Sequence, residues 1–171
     1  MNLTMSRLVL WTACVGLTAC SDEPAQKPTA QPTASPAVDG FFTKTALDGA
    51  LEVLDARTRA QAAPSETTVH GRVKDFVDGA AVFTMIDASL KACGEDGEDD
   101  CKTPWDYCCH DPAELAKAIV TVELRAGAQP IPTSLENVHG LAHLKPVVVR
   151  GAWSTDAHGN ALLVASSVQV P

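Results

Sequence analysis

Residues 146–170 read PVVVRGAWSTDAHGNALLVASSVQV, and this stretch decides the fold. Val147, Val149, Gly151 and Trp153 fall on one side of an extended chain, where side chains alternate with period two. Valines dominate the run, as pleated strands prefer. Asp156-Ala157-His158-Gly159-Asn160 carries the small polar and glycine residues that turn a hairpin. The chain resumes at Ala161, and Leu162, Val164, Val168 and Val170 share one parity. Two antiparallel strands are expected, Pro146–Ser154 and Ala161–Val170, each with one apolar face.

Working towards the N-terminus, the same period returns three times. Ala118–Ala126 alternates Val120, Val122 and Leu124 with Thr121, Glu123 and Arg125. Ala80–Ser89 sets Ala81, Phe83 and Met85 against Val82, Thr84 and Ile86, so this strand is expected to be covered on both faces. Thr67–Val77 precedes it, and Asp78-Gly79 between them is a tight-turn signal. Gly127 to Lys145 separates strands three and four, and a short helix or turn there would plug one barrel end. Ahead of the strands, Leu47, Ala50, Leu51 and Leu54 form one helical stripe. Thr45 and Asp48 make a capping-box-like start, Arg57 and Arg59 suit the helix C-terminus, and Pro64 stops it. The expected fold is mainly β: a small five-stranded barrel over 65–171, preceded by an amphipathic helix over 41–64. A cysteine-rich insertion, 91–112, interrupts it between strands two and three.

A hairpin, a third strand, an irregular connection and a closing hairpin resemble the order of the OB-fold, the oligonucleotide/oligosaccharide-binding barrel. Leu144–Gly151 (LKPVVVRG), a variable loop and Ala161–Ala165 (ALLVA) are similar to the closing hairpin of many such barrels. The resemblance covers residues 67–171 and implies no ligand. Periplasmic haem chaperones with this fold use a C-terminal His motif, which is absent here.

The N-terminus has its own signature. Arg7 precedes the short apolar run Leu8–Gly16, too short for a permanent membrane span. Leu17-Thr18-Ala19-Cys20 resembles the lipobox of bacterial lipoproteins. That resemblance implies a signal over 1–20 and acylation of Cys20, with palmitate among the chains. Ser21 stands where an Asp would signal inner-membrane retention, which leans towards an outer-membrane protein facing the periplasm. Residues 21–40, rich in Pro, Ala and Thr, read as a disordered tether. Loss of residues 1–20 leaves 12 basic against 21 acidic residues, net −9. That balance argues against nucleic acid as a partner. The expected partners are the membrane, through the lipid, and an envelope protein, glycan or small ligand.

The insertion holds the unusual chemistry: CGEDGEDDCKTPWDYCCH, residues 93–110. Its spacing, C-x7-C-x6-C-C, lacks the paired CxxC of a zinc ribbon, the CxxC of a thioredoxin site and the CxxCH of covalent haem. Cys93, Cys101, Cys108 and Cys109 form an even set in an oxidising compartment, as two disulfides would need. As the alternative to disulfides they would suit zinc, copper or iron, with His110 as a further donor, though the spacing fixes no cofactor. The acids Glu95, Asp96, Glu98, Asp99 and Asp100 lack EF-hand spacing. Trp105 and Tyr107 would either pack the insertion on the barrel or offer an aromatic platform. TPWDYCC resembles a segment of small uncharacterised exported bacterial proteins, which implies no activity. Asp111-Pro112 reads as a helix start, N-cap then first position, which would fix His110 near the cysteines. His139 and His143 are spaced as a metal pair on a helix would be, but Gly140 lies between them. No Ser/His/Asp set, phosphate-cradling loop or catalytic carboxylate pair is visible. The expectation is a non-enzymatic binding or scaffold module, with metal or thiol-redox chemistry at the cysteines as the alternative.

Overall fold

A computed structural model describes residues 36–60, 66–95, 103 and 106–171. The expected signal, most of the tether, Cys20, Cys101 and Trp105 lie outside the described residues. Five strands form the body: β1 (Glu66–Phe76), β2 (Val82–Ile86), β3 (Ile119–Glu123), β4 (Pro146–Thr155) and β5 (Ala161–Gln169). The two longest helices among the described residues accompany them, α1 (Val53–Ala60) before β1 and α2 (Pro112–Ala118) before β3.

The strands close into a ring in the order β1-β2-β3-β5-β4-β1. Every pairing is antiparallel except β3 with β5, which runs parallel from Val120↔Ala161 to Glu123↔Val164. Closure is possible because β1 is long and does two jobs. Glu66–Arg72 pairs with β4, and Arg72–Phe76 pairs with β2 across a register shift at Val73/Asp75. Bulges of this kind turn barrel corners. The protein is thus a small, mainly β, OB-like barrel, as the strand order leads one to expect.

Inside the ring the period-two reading holds for β3 and β4. Val120, Val122 and Leu124 are buried, as are Val147, Val149 and Trp153. They meet Val69, Val73, Phe83, Met85 and Leu163 in one core. Each fully buried Val, Leu, Met or Phe contributes about 1.5–3 kcal/mol of transfer free energy. Ile131, Leu135, Val138 and Leu141, from the irregular connection, join that core. They are the plug expected between strands three and four. The connection also makes a small unexpected hairpin, Arg125–Ala126 against Gln129–Pro130.

The closing hairpin forms as expected but with a change of face. On β5, Ala161, Leu163 and Ala165 point inwards, and then Val168 does, while Leu162 and Val164 are half-buried. Gly151 pairs with Ala165 and Arg150 with Ser167, so Ser166 is an extra residue in β5. One extra residue inverts the parity beyond it. The single-parity reading of Leu162, Val164, Val168 and Val170 is therefore corrected.

The N-terminal region departs further from expectation. The helix expected over 41–64 occupies only Val53–Ala60 among the described residues. Gly49 has φ +75°, which breaks a helix, and Leu51–Glu52 instead run as a short strand parallel to Val69–His70 of β1, outside the ring. Barrel edge pairing outcompeted a helical stripe. The tether expected over 21–40 also ends early. Pro36–Asp39 form a helical turn, Val38 is fully buried, and Phe42 bridges to Val168.

Arg57 ties α1 to the rest. Its guanidinium donates to Lys117 O (2.7 Å), Gly159 O (2.7 Å), Ala116 O (3.1 Å) and Ile119 O (2.9 Å). Three of these carbonyls lie at or just past the end of α2, where backbone acceptors lack intrahelical donors. Replacing Arg57 with Ala is expected to lower stability by about 1–2 kcal/mol, because a charged donor leaves partly exposed carbonyls unmatched. Arg57→Lys should recover less than half of that, since one ammonium cannot reach four acceptors. Denaturant unfolding checks both values.

Candidate functional site

The insertion is built outwards from β2. That strand is covered on both faces, as its composition suggested: Phe83 and Met85 face the barrel core, while Ile86 belongs to a second cluster. The second cluster holds Ile86, Ala92, Tyr107 and Ala118, with Leu90, Leu115, Ile119 and Leu144 packed against it. It seats the insertion as a cap on the barrel. Tyr107 is fully buried in it. The ring considered as a ligand platform is therefore a packing residue, held because so large an apolar body gains most by burial. Burial pushes the Tyr107 phenol pKa up, and the Arg72 charge pulls against that.

Arg72 fastens the cap. It leaves β1 at the residue that pairs with both neighbours, and lies 6.0 Å from the centroid of the Tyr107 ring. It donates to Glu95 Oε1 at 2.7 Å and to the Leu90 carbonyl. Glu95 in turn accepts from the Ala92 amide at 2.8 Å. The Arg72 bond, with the Ala92 amide, holds the Glu95 carboxyl below the usual range. The Cys93 amide donates to Asp106 O at 2.8 Å, so the two arms of the cap meet beside the first cysteine. On the other side Asp111 caps α2, its Oδ1 accepting from the Ala113 amide at 2.8 Å and the Glu114 amide at 3.3 Å. The N-cap and first-turn proline are as the sequence predicts.

Between these anchors three sulfurs converge. Cys93 Sγ lies 3.4 Å from Cys108 Sγ and 3.7 Å from Cys109 Sγ. The three sulfurs all lie within 4.8 Å of one another, close enough to hold one metal ion. No two of these described sulfurs are at disulfide bonding distance. Cys93 is 3% exposed, whereas Cys108 and Cys109 are exposed. His110, expected to point near the cysteines, places Nε2 2.8 Å from the Lys91 carbonyl. It is not among the converging donors. Its ring is held by the cap backbone instead, and lies 6.1 Å from the Tyr107 ring.

His139 and His143 go to structural partners. His139 adopts φ +49°, stacks on Phe42 and contacts Asp39 Oδ1 at 2.8 Å. His143 Nδ1 lies 2.5 Å from the Lys74 carbonyl and the ring sits edge-on to Phe76. The two do not form a metal pair, since the backbone around Gly140 is not α-helical.

Two residues central to this region escaped the sequence reading, Arg72 and Asp87. Asp87, at the end of β2, is 1% exposed. Its carboxylate accepts from the Leu54 amide in the first turn of α1 (2.9 Å), and from the Ser89 amide (3.0 Å) and hydroxyl (2.6 Å). Desolvation pushes its pKa up, but these hydrogen bonds and the nearby His70 outweigh it, and the net shift is downwards. A depressed carboxylate stabilises the fold fully above its unfolded pKa of about 3.9. That contribution is lost as pH falls through the lower folded value. Stability measured from pH 7 down to pH 2 is expected to fall more steeply in the wild type than in Asp87→Asn. Parallel acid limbs would count against this role. A strand-end Asp followed two residues later by Ser is an Asx-turn signal that a closer reading could have used.

The chain matches no known protein-family model and no curated protein. Fold and site together define a class: an OB-like barrel whose cysteine-bearing cap is clamped to the outer face of β2.

Proposed function

We propose that this is a non-enzymatic binding module of the bacterial cell envelope, anchored by lipid on Cys20, and that its cap holds a thiophilic metal ion through Cys93, Cys108 and Cys109. One observation carries the metal reading. Three thiolates bound tetrahedrally at about 2.3 Å from zinc stand about 3.8 Å apart. The separations of 3.4 and 3.7 Å from Cys93 lie near that edge length. A disulfide would need about 2.05 Å. Soft sulfur donors select zinc or copper(I) over magnesium or calcium. The three sulfurs are the converging donors among the described residues, and a fourth donor would complete a tetrahedral site.

The close approach of Cys93 and Cys108 supports a second reading, a structural staple. Metal content and thiol count separate the two. The anchor is tested on its own: Cys20→Ser is expected to move the protein from the membrane to the soluble fraction. Unchanged membrane association would refute the lipid anchor. Among the described residues no helix is long and apolar enough to cross a membrane, so they supply no competing helical span.

A further inference from the structure

Cys93 stands apart from its two neighbours in burial. Its sulfur sits within 3.7 Å of both others, and it is 3% exposed while they are exposed. An ion held by the cluster uses all three sulfurs. A disulfide from Cys93 to either neighbour removes two of them at once. Closing the Cys93–Cys108 pair needs a shift of only about 1.4 Å, from 3.4 Å to a bond length of about 2.05 Å.

We infer that the cap is a thiol–disulfide switch in which exposed Cys108 is the entry thiol, buried Cys93 the resolving thiol, and bond formation between them expels the metal. This rests on the metal-holding reading above. The oxidant is an external disulfide, either a small-molecule disulfide or an oxidised dithiol protein. The Cys108 thiolate attacks one of its sulfurs, and the first external thiolate leaves and takes a proton. Cys108 then carries a mixed disulfide. The Cys93 thiolate attacks Cys108 Sγ, and the second external thiolate leaves and takes a proton. Two cysteine sulfurs are oxidised, one external disulfide is reduced to two thiols, and the ion is left with Cys109 alone among the three donors. Burial sets the order of events. An external disulfide reaches the exposed Cys108, and only a sulfur already beside Cys108 can complete the exchange without the oxidant entering the cap. Pairing Cys108 with Cys109 instead would strain adjacent residues on a trans backbone.

The test uses the full chain, reduced, with glutathione disulfide as the probe and peptide mass mapping as the readout. The background is Cys101→Ser, so that the three placed sulfurs are the cap's only cysteines. Before oxidant, metal content of the chain with Cys101 intact reports whether the proposed function holds. After oxidant, the Cys101→Ser chain is expected to release its ion as two thiols disappear and a Cys93–Cys108 linkage forms. The apo form of Cys93→Ser/Cys101→Ser is expected to accumulate one glutathione on Cys108 that persists at least about tenfold longer than in apo Cys101→Ser. Equal clearance in the two apo chains overturns the assignment of Cys93 as resolver. Metal retained after the linkage forms overturns the switch. Because the clearance comparison is made without metal, its failure is distinct from a failure of the cluster to bind an ion.

Discussion

Gly151→Ala is expected to lower stability by about 3 kcal/mol or more and to drop Tm by over about 10 °C. A Cβ built on Gly151 would stand 2.2 Å from Val164 O, 2.8 Å from Val164 C and 3.0 Å from Ala165 Cα. All three are backbone atoms of β5, so no side-chain rotation relieves the clash. Relief requires the β4–β5 pair to separate at the point where its register shifts, between Arg150 and Gly151. A small domain has about 5–15 kcal/mol in total, so the loss is a large share of it. Gly40→Ala is the control. Its added methyl meets nothing within 4 Å, and its φ is not in the left-handed region. Thermal unfolding by circular dichroism should leave Gly40→Ala near the wild type. A Gly151→Ala transition within about 1 kcal/mol of wild type would contradict the described register of the closing hairpin.

Cys93→Ser is expected to weaken binding of zinc or copper(I) by at least about 100-fold, equivalent to about 2.7 kcal/mol. Cys93 is the sulfur 3.4 and 3.7 Å from the other two, so its loss leaves two exposed thiols on adjacent residues. Two soft donors hold such an ion less tightly than three. The effect should be confined to the cap, because Cys93 is not a member of the barrel core. Competition titration against a chromophoric chelator measures the affinity, and near-ultraviolet circular dichroism of Trp153 and its neighbours monitors the barrel. Unaltered affinity in Cys93→Ser would remove Cys93 from the site.

Much of the barrel was legible in advance because its strands bury one face against a common core. Period two along Ala118–Ala126 and Pro146–Ser154 is the direct imprint of that burial, and Asp78-Gly79 and the DAHGN loop marked the turns. Gly79 and Gly159 indeed take positive φ, +74° and +86°, and Asp156 accepts from the His158 amide and from the Asn160 amide and side chain. What failed was non-local. The extra residue at Ser166 inverts inward and outward faces of β5, yet a bulge leaves no mark in composition. The stripe Leu47–Leu54 satisfied helical spacing, but the free edge of β1 captured Leu51–Glu52 as a strand. A single-sequence pattern cannot weigh edge pairing against helix formation, because the competing partner lies about eighteen residues away.

The candidate site was legible in kind, and its assembly was not. Cysteine count and spacing pointed to the insertion, and the three cysteines among the described residues do converge. Which donors meet depends on the Arg72–Glu95 clamp and on the packing of Tyr107. Arg72 sits among ordinary outward residues of β1, and nothing in its neighbourhood announces a contact twenty-three residues on. His110 was expected close to the sulfurs for a sound reason, its place before the α2 cap. The Lys91 carbonyl took its ring instead.

The central claim is that the cap holds a metal ion through Cys93, Cys108 and Cys109. Its most direct test is to purify the protein anaerobically, without added metal or chelator, and measure metal and reduced thiols per chain in one preparation. About one thiophilic ion per chain, with these three cysteines reduced, is expected. No bound metal, with the same cysteines locked in disulfides, would contradict it.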